Sequence, residues 1–109
     1  SEDNCAMMAA QELASYLETG DILNSVNFPN CALPMGEGGR ICILHKNVPS
    51  MIRNFTNIFA QSGMNIADMI NKSKKDNAYT IINSDAAIPA EVSQKIAEFD
   101  GVLRVRVIK

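Results

Sequence analysis

The chain has 109 residues, of which 47% are apolar and 20% are charged, and its formal net charge is −2. This length allows one domain with one hydrophobic core. Because there is no basic excess to neutralise phosphates, nucleic acid is not an expected partner. No apolar run approaches the roughly 20 residues that span a bilayer, so no membrane partner is expected either.

The cysteines indicate a reducing compartment. Cys5, Cys31 and Cys42 form no CxxC pair, and their number is odd. This pattern favours buried thiols in the cytoplasm over a disulfide framework or a zinc site, so no metal is expected. No signal peptide is visible in the sequence.

The N-terminal third predicts a helix, an extended segment and a linker. Residues 3–19 place apolar side chains at three- and four-residue spacing, with Asp3 as a candidate N-cap and Gly20 as a candidate C′ residue. Residues 25–29 are predicted to be extended, and the glycine-rich residues 30–39 are typical of a linker. The GEGG sequence in that linker follows no strand and opens no helix, so it does not predict a dinucleotide site.

A first strand–helix pair follows the linker. Both faces of the strand are apolar, which is expected of a central strand: Ile41 and Ile43 share one face, and Cys42 and Leu44 share the other. The helix is predicted to begin at Pro49 and to end at Gly63. Its buried face is expected to comprise Ile52, Phe55, Ile58 and Phe59.

The remaining residues predict a hairpin, a second helix and a last strand. The hairpin strands are expected at residues 64–71 and 78–84, with Asp76 and Asn77 tolerating positive φ in the turn. Pro89 is predicted to open the second helix and Gly101 to end it, with Val92, Ile96 and Phe99 on its inner face. In the last strand Leu103, Val105 and Val107 alternate with Arg104 and Arg106, which predicts one face against helices and one toward water or a partner.

Together these elements predict an α+β fold, a ferredoxin-like βαββαβ sandwich preceded by an N-terminal helix. We expect an antiparallel four-stranded sheet in the order 4-1-3-2, with both helices on one face. The second strand is then an edge that carries no proline, and no lysine before Lys72. Such an edge invites pairing, which predicts a homodimer with a continuous eight-stranded sheet.

The turn between the first strand and the first helix contains the candidate site, namely His45, Asn47, Pro49 and the more distant Asn65. One interpretation is a solvated histidine and an Asx turn. The other is an anion site, in which free N–H groups after Pro49 bind a carboxylate and asparagine side chains bind an ammonium group.

The run HKNVPSMIRNFTNIFAQSGMNIA resembles the first half of an ACT domain, the regulatory module of amino-acid enzymes. The segment ELASYLETG followed by NSVNFP resembles the end of the catalytic part of D-3-phosphoglycerate dehydrogenases. This resemblance covers essentially the whole chain and implies two parts. Residues 1–38 would be the tail of a catalytic part, and residues 39–109 would be the regulatory domain.

The resemblance also implies a ligand, L-serine or another small amino acid. His45, Asn47 and Pro49 would bind it together with Asn65 of a second subunit. Ser50 departs from the family pattern, in which the residue after the proline is usually glycine, and its side chain would intrude on the site. The alternative is a ligand-free ACT domain that acts only in dimerisation.

The parent enzyme would be an NAD-dependent oxidoreductase that opens serine biosynthesis, whereas these residues contain neither a catalytic site nor a cofactor site. Two other functions of the same fold fit less well. An acylphosphatase-like hydrolase needs an arginine in its anion loop, where this turn offers only Lys46. An RNA-binding domain needs stacking aromatics on its sheet, where only Tyr79 is aromatic.

Overall fold

The computed structural model describes residues 19–22, 29 and 31–108. They form four strands and two helices: β1 Arg40–Lys46, α1 Met51–Gln61, β2 Ile66–Lys74, β3 Asn77–Ser84, α2 Ala90–Ala97 and β4 Val102–Val107. Most of the helix predicted at residues 3–19 and of the extended segment predicted at residues 25–29 lies outside the described residues. Gly20, the predicted C′ residue, has φ +83°, the left-handed conformation expected there.

The sheet confirms the predicted architecture. Its strands lie in the order β2-β3-β1-β4, and every neighbouring pair is antiparallel. β1 is central, with Ile41 and Ile43 facing the helices. A single cluster buries them against Phe55 and Phe59 of α1 and against α2, so both helices cover the same face of the sheet.

The observed element ends and hairpin turn differ from the predicted ones at four places. α1 begins at Met51 with Ser50 as its N-cap, so Pro49 lies in the preceding turn and is not the first helical residue. β2 runs from residue 66 to residue 74, later and longer than predicted, because an edge strand tolerates the polar side chains that had suggested a turn. The positive φ of the hairpin, +57°, belongs to Lys75 and not to Asp76 or Asn77. α2 ends at Ala97, and the predicted stop, Gly101 (φ +96°), lies in the turn before β4.

The predicted alternation in β4 is wrong at Leu103. The register between β1 and β4 shifts between Leu44 and His45, which marks a β-bulge. A bulge adds one residue to one strand and so changes which face the following side chain occupies. As a result, Val105 packs toward the helices while Leu103 packs on the opposite side of the sheet.

That opposite side carries a second apolar cluster, which is covered by Ile22 and, from the predicted linker, by Cys31 and Leu33. Residues 19–22 and 31–34 form this covering segment. Cys42, Leu44, Tyr79 and Ile81 of the sheet contact Ile22 and Cys31, which are joined to each other by an isolated antiparallel bridge. Cys31 and Cys42 are free buried thiols, as predicted for the described cysteines. Burial raises the pKa of Cys31 to about 12 and that of Cys42 to about 11, so both thiols remain protonated at neutral pH.

Arg40 fastens this covering segment to the sheet. Its side chain is fully buried at the start of β1. The guanidinium donates to the carbonyls of Thr19 (2.5 Å), Leu33 (2.5 Å) and Pro34 (2.9 Å) and to Oδ1 of Asn83 (2.7 Å). The guanidinium of Arg40 therefore provides donors to three carbonyls of the covering segment, which lie outside the hydrogen bonds of the sheet.

Candidate functional site

The turn between β1 and α1 presents an open helix start. Ser50 caps α1 with φ −85° and ψ −5°, its side chain makes no capping hydrogen bond, and the first turn of α1 contains no acidic residue. Pro49 and Ser50 are both exposed. The first N–H groups of a helix have no intrahelical partner and carry the positive end of the helix dipole. The arrangement suits a small anion such as a carboxylate.

Asn47 anchors this turn to the β2–β3 hairpin. Its backbone N–H donates to the carbonyl of Asp76 (2.9 Å), and its side-chain Nδ2 donates to the carbonyl of Lys75 (3.2 Å). Because Nδ2 is the atom that donates to the hairpin, Oδ1 remains the acceptor of this amide. Asn47 is therefore bonded to the hairpin, and its Oδ1 is the side-chain atom that can accept from a ligand donor.

His45 is not a solvated turn residue, so that interpretation of the sequence is wrong. It lies in β1 and is 2% exposed, with its ring perpendicular to that of Phe55 at a centroid distance of 5.1 Å. Nδ1 lies 2.8 Å from the carbonyl oxygen of Lys46, and Nε2 lies 2.8 Å from Oγ1 of Thr80. Because a carbonyl only accepts, Nδ1 carries the proton and Nε2 accepts the hydroxyl of Thr80.

The environment of His45 favours its neutral form. Burial lowers the pKa of His45 below its ordinary value of 6.5, while the hydrogen bond to the carbonyl of Lys46 acts in the opposite direction. Both ring nitrogens are engaged within the chain. A ligand would therefore bond to His45 only by replacing the hydroxyl of Thr80 at Nε2.

Thr80 and Asn71, which the sequence pattern does not single out, extend the site toward the sheet edge. The Thr80 hydroxyl also accepts a hydrogen bond from Nδ2 of Asn71 (2.8 Å). Asn71, Thr80 and His45 thus form a chain of hydrogen bonds across β2, β3 and β1. The signal in the sequence was a threonine inside the apolar run AYTII, but the strand register is needed to place it diagonally across from His45.

Asn65 lies far from the other predicted site residues within one chain. It is exposed just before β2, where its carbonyl accepts from the N–H of Asp85 (3.3 Å). Ile66 pairs with Ser84 at one end of the sheet, whereas Lys46 pairs with Asn77 at the other. At about 3.3 Å per residue, roughly 20 Å separates the two ends. Asn65 can join Asn47 only if a second chain supplies it.

A metal site, a membrane span and a pocket each place requirements on the described residues. No group of three or more histidine, cysteine, aspartate or glutamate residues in the described part of the chain could hold a metal ion. No helix among the described residues is long and apolar enough to cross a membrane. A shallow pocket of about 360 Å³ beside the β2 edge is lined by Pro29, Lys72, Ser73 and Lys74, away from the turn.

The antiparallel sheet with two helices on one face is the fold of an ACT domain. The ACT domain of the GTP pyrophosphokinase of Chlorobium tepidum superposes with a TM-score of 0.55 at 15% identity, over 63% of this chain and 94% of that domain. No family model matches the sequence.

The chain is also similar to D-3-phosphoglycerate dehydrogenases. It is 28% identical over 110 residues to the enzyme of Escherichia coli K12, and this match covers 99% of the chain and 27% of the enzyme. The enzymes of Haemophilus influenzae and Dictyostelium discoideum are each 28% identical, over 109 and 97 residues. The chain thus spans about a quarter of the length of these relatives, and the resemblance predicted from its motifs is confirmed.

Proposed function

We propose that this chain is the amino-acid-binding regulatory domain of a D-3-phosphoglycerate dehydrogenase and that its ligand is L-serine. The parent enzyme would oxidise 3-phosphoglycerate with NAD in the cytoplasm, the first step toward serine. The cofactor and the catalytic groups would belong to the rest of that enzyme. The ACT fold and the similarity to about a quarter of each dehydrogenase support this proposal.

One observation carries the choice of ligand class. Asn47 is hydrogen bonded to the β2–β3 hairpin next to the open start of α1. The helix start suits the carboxylate of an amino acid, and Oδ1 of Asn47 suits its ammonium group. In this proposal Asn65 of a second subunit supplies another acceptor, and Nε2 of His45 exchanges Thr80 for the ligand hydroxyl.

The proposal includes a homodimer joined along β2. The site needs Asn65, which one chain does not bring to Asn47. A ligand bound between two chains stabilises their association, which links ligand concentration to subunit contact. Within the full enzyme this link would slow the domain movements that catalysis needs.

Calorimetric titration of the chain with L-serine tests the ligand, with D-serine as the matched control. We expect saturable heat with L-serine and a loss of roughly ten- to a hundredfold in affinity in Asn47→Ala, because a hydrogen bond to a charged group contributes about 1.5–3 kcal/mol. Exposed Asn57→Ala on α1 should leave the affinity unchanged.

The second candidate function is a ligand-free dimerisation domain, and Ser50 is the observation that favours it. Ser50 adds a side chain at the exposed helix start where the carboxylate would lie. If Ser50 obstructs the site, Ser50→Gly binds L-serine more tightly than the unmodified chain does. If millimolar L-serine gives neither heat nor a thermal shift with either protein, the regulatory proposal fails and the dimerisation function replaces it.

A further inference from the structure

The hydrogen bonds that join His45 to the sheet edge through Thr80 have a fixed direction. Nδ1 of His45 lies 2.8 Å from the carbonyl oxygen of Lys46, which can only accept, so the proton is on Nδ1 and Nε2 is an acceptor. The hydroxyl of Thr80, 2.8 Å from Nε2, therefore donates its single proton there. Its oxygen accepts from Nδ2 of Asn71 at 2.8 Å. The Thr80 hydroxyl thus uses both its donor and its acceptor role within the chain.

The bond between Thr80 and His45 lies in an apolar layer. Thr80 pairs with Ile43 of β1, which belongs to the cluster beneath the helices. Directly paired residues of neighbouring strands share a face of the sheet, so Thr80 also lies on the helix face. Thr80 is 0% exposed and His45 is 2% exposed. Polar atoms buried to this extent need a partner from the chain or from a ligand.

The hydroxyl of Thr80 occupies the atom that a ligand hydroxyl would use. The α-carboxylate and α-ammonium groups that the helix start and the asparagines would bind are common to all α-amino acids. Within the proposed site, only Nε2 of His45 would recognise the hydroxyl of serine. Because Thr80 already donates to Nε2, serine gains this bond only when Thr80 loses it. The exchange replaces one hydrogen bond with another and contributes little net free energy.

An amino acid without a hydroxyl incurs no penalty at the same atom. A site that hydrogen bonds a ligand hydroxyl normally rejects the analogue that lacks it, because the polar group of the site is then left unpaired. When L-alanine binds, Nε2 of His45 keeps Thr80 as its partner. The usual basis for excluding alanine from a serine site is therefore missing.

We propose that Thr80 is a specificity-determining residue and that the site binds L-alanine about as tightly as L-serine. The hydroxyl of Thr80 satisfies His45 whenever the ligand brings no hydroxyl of its own. This inference rests on the proposed function for the position of the site and for the binding of the α-carboxylate and α-ammonium groups. It extends the ligand class to small L-amino acids with or without a side-chain hydroxyl.

Calorimetric titration of the full chain with L-serine and with L-alanine tests this selectivity. An unpaired buried acceptor costs a ligand roughly fivefold or more in affinity. Because Nε2 is paired in both complexes, we expect the two dissociation constants to agree within about fivefold. A larger preference for L-serine overturns the inference.

Thr80→Val removes the hydroxyl and keeps the branched shape of the side chain. Nε2 of His45 then becomes a buried acceptor that a serine hydroxyl can pair and an alanine methyl cannot. We expect the affinity for L-serine to rise roughly five- to a hundredfold while the affinity for L-alanine stays the same. Thr80→Ser, which keeps a hydroxyl, should bind the two amino acids about equally. An unchanged ratio of affinities in Thr80→Val overturns the inference.

Thr56→Val is the matched control, because it makes the same chemical change elsewhere. The hydroxyl of Thr56 donates to the carbonyl of Arg53 within α1 at 3.1 Å and contacts no group of the candidate site. Its removal should leave the ratio of the two affinities unchanged. If Thr56→Val alters the ratio as much as Thr80→Val does, the effect of Thr80 is not specific to the site, and the inference is overturned.

The tautomer of His45 provides a measurement that needs neither a ligand nor a variant. His45 is the only histidine, so long-range ¹H–¹⁵N correlation spectra report its ring nitrogens without overlap. We expect the proton on Nδ1. A proton on Nε2 would make that atom a donor to Thr80, unable to accept from a ligand hydroxyl, and would overturn the inference even if Thr80→Val did not fold.

The titrations separate a failure of this inference from a failure of the proposed function. If L-serine binds the unmodified chain with a preference over L-alanine of more than about fivefold, the inference fails and the serine-binding function stands. If only Ser50→Gly binds L-serine, the same comparison in the Ser50→Gly background decides the inference. If neither amino acid produces heat at millimolar concentration with either protein, the proposed ligand fails and this inference fails with it.

Discussion

Burial of His45 favours its neutral form, and this makes the stability of the chain depend on pH. Its pKa is lowered by burial from the ordinary value of 6.5. The unfolded chain therefore binds the proton at a higher pH than the folded chain does. The stability that neutral His45 contributes is complete above pH 6.5 and is lost as the pH falls from there through the lowered pKa.

His45 is the only histidine, so one substitution isolates this effect. Between about pH 7.5 and 5.5 we expect the free energy of unfolding, measured by urea denaturation, to fall more in the unmodified chain than in His45→Gln. Glutamine keeps a donor and an acceptor but does not titrate. Equal pH slopes in the two proteins would contradict the buried neutral state of His45.

Sequence patterns identified the residues of the turn but not their surroundings. Asn47 and Pro49 stand out because their turn preferences are local. The burial of His45 depends on Phe55 and on Thr80, 35 residues away. A non-local partner of this kind follows from strand register, which hydrophobic alternation alone does not determine.

At the scale of the elements, Arg40 couples the N-terminal covering segment to the sheet. A buried guanidinium bonded to three carbonyls and to Asn83 is difficult to replace, since its removal leaves buried acceptors unsatisfied. Arg40→Met should lower the free energy of unfolding by about 2–4 kcal/mol. Arg53→Met, at an exposed position of α1, is the matched control.

Hydrogen exchange distinguishes coupling from general destabilisation. In Arg40→Met, amides of residues 31–39 should lose protection to a greater extent than those of β3, because their carbonyl anchors are gone. Equal loss in both regions would show that Arg40 contributes only to global stability. The composition of residues 30–39 predicted a linker, and nothing local in that sequence indicated that it covers an apolar sheet face.

The spacing of apolar residues predicted which segments are helices or strands and which strand is central. It did not predict the residues at which these elements end. β1 was predicted to be central because both of its faces are apolar, and it is. The polar sequence NKSK belongs to β2, where it forms an exposed edge strand. The bulge beside Leu44 moves the side chain of Leu103 to the sheet face opposite the predicted one. In β2 the edge faces solvent, so its side chains need not alternate between apolar and polar. In β4 one extra residue interrupts that alternation.

At the scale of the whole molecule, the proposal that two chains share each site leads to a prediction about mixed dimers. Two differently tagged copies of the chain, mixed and purified on each tag in turn, allow a dimer with two different subunits to be isolated. Asn47→Ala is placed in the first chain and Asn65→Ala in the second. One of the two sites then lacks both asparagines, and the other retains both.

Titration of this mixed dimer with L-serine should give half of the binding sites at the affinity of the unmodified dimer. Each single variant alone should have no such site, because Asn47→Ala or Asn65→Ala then affects both sites of its homodimer. If the site lay within one chain, every site of the mixed dimer would carry one substitution, and no full-affinity site would remain. Binding at half stoichiometry therefore requires that each site draw its asparagines from two chains.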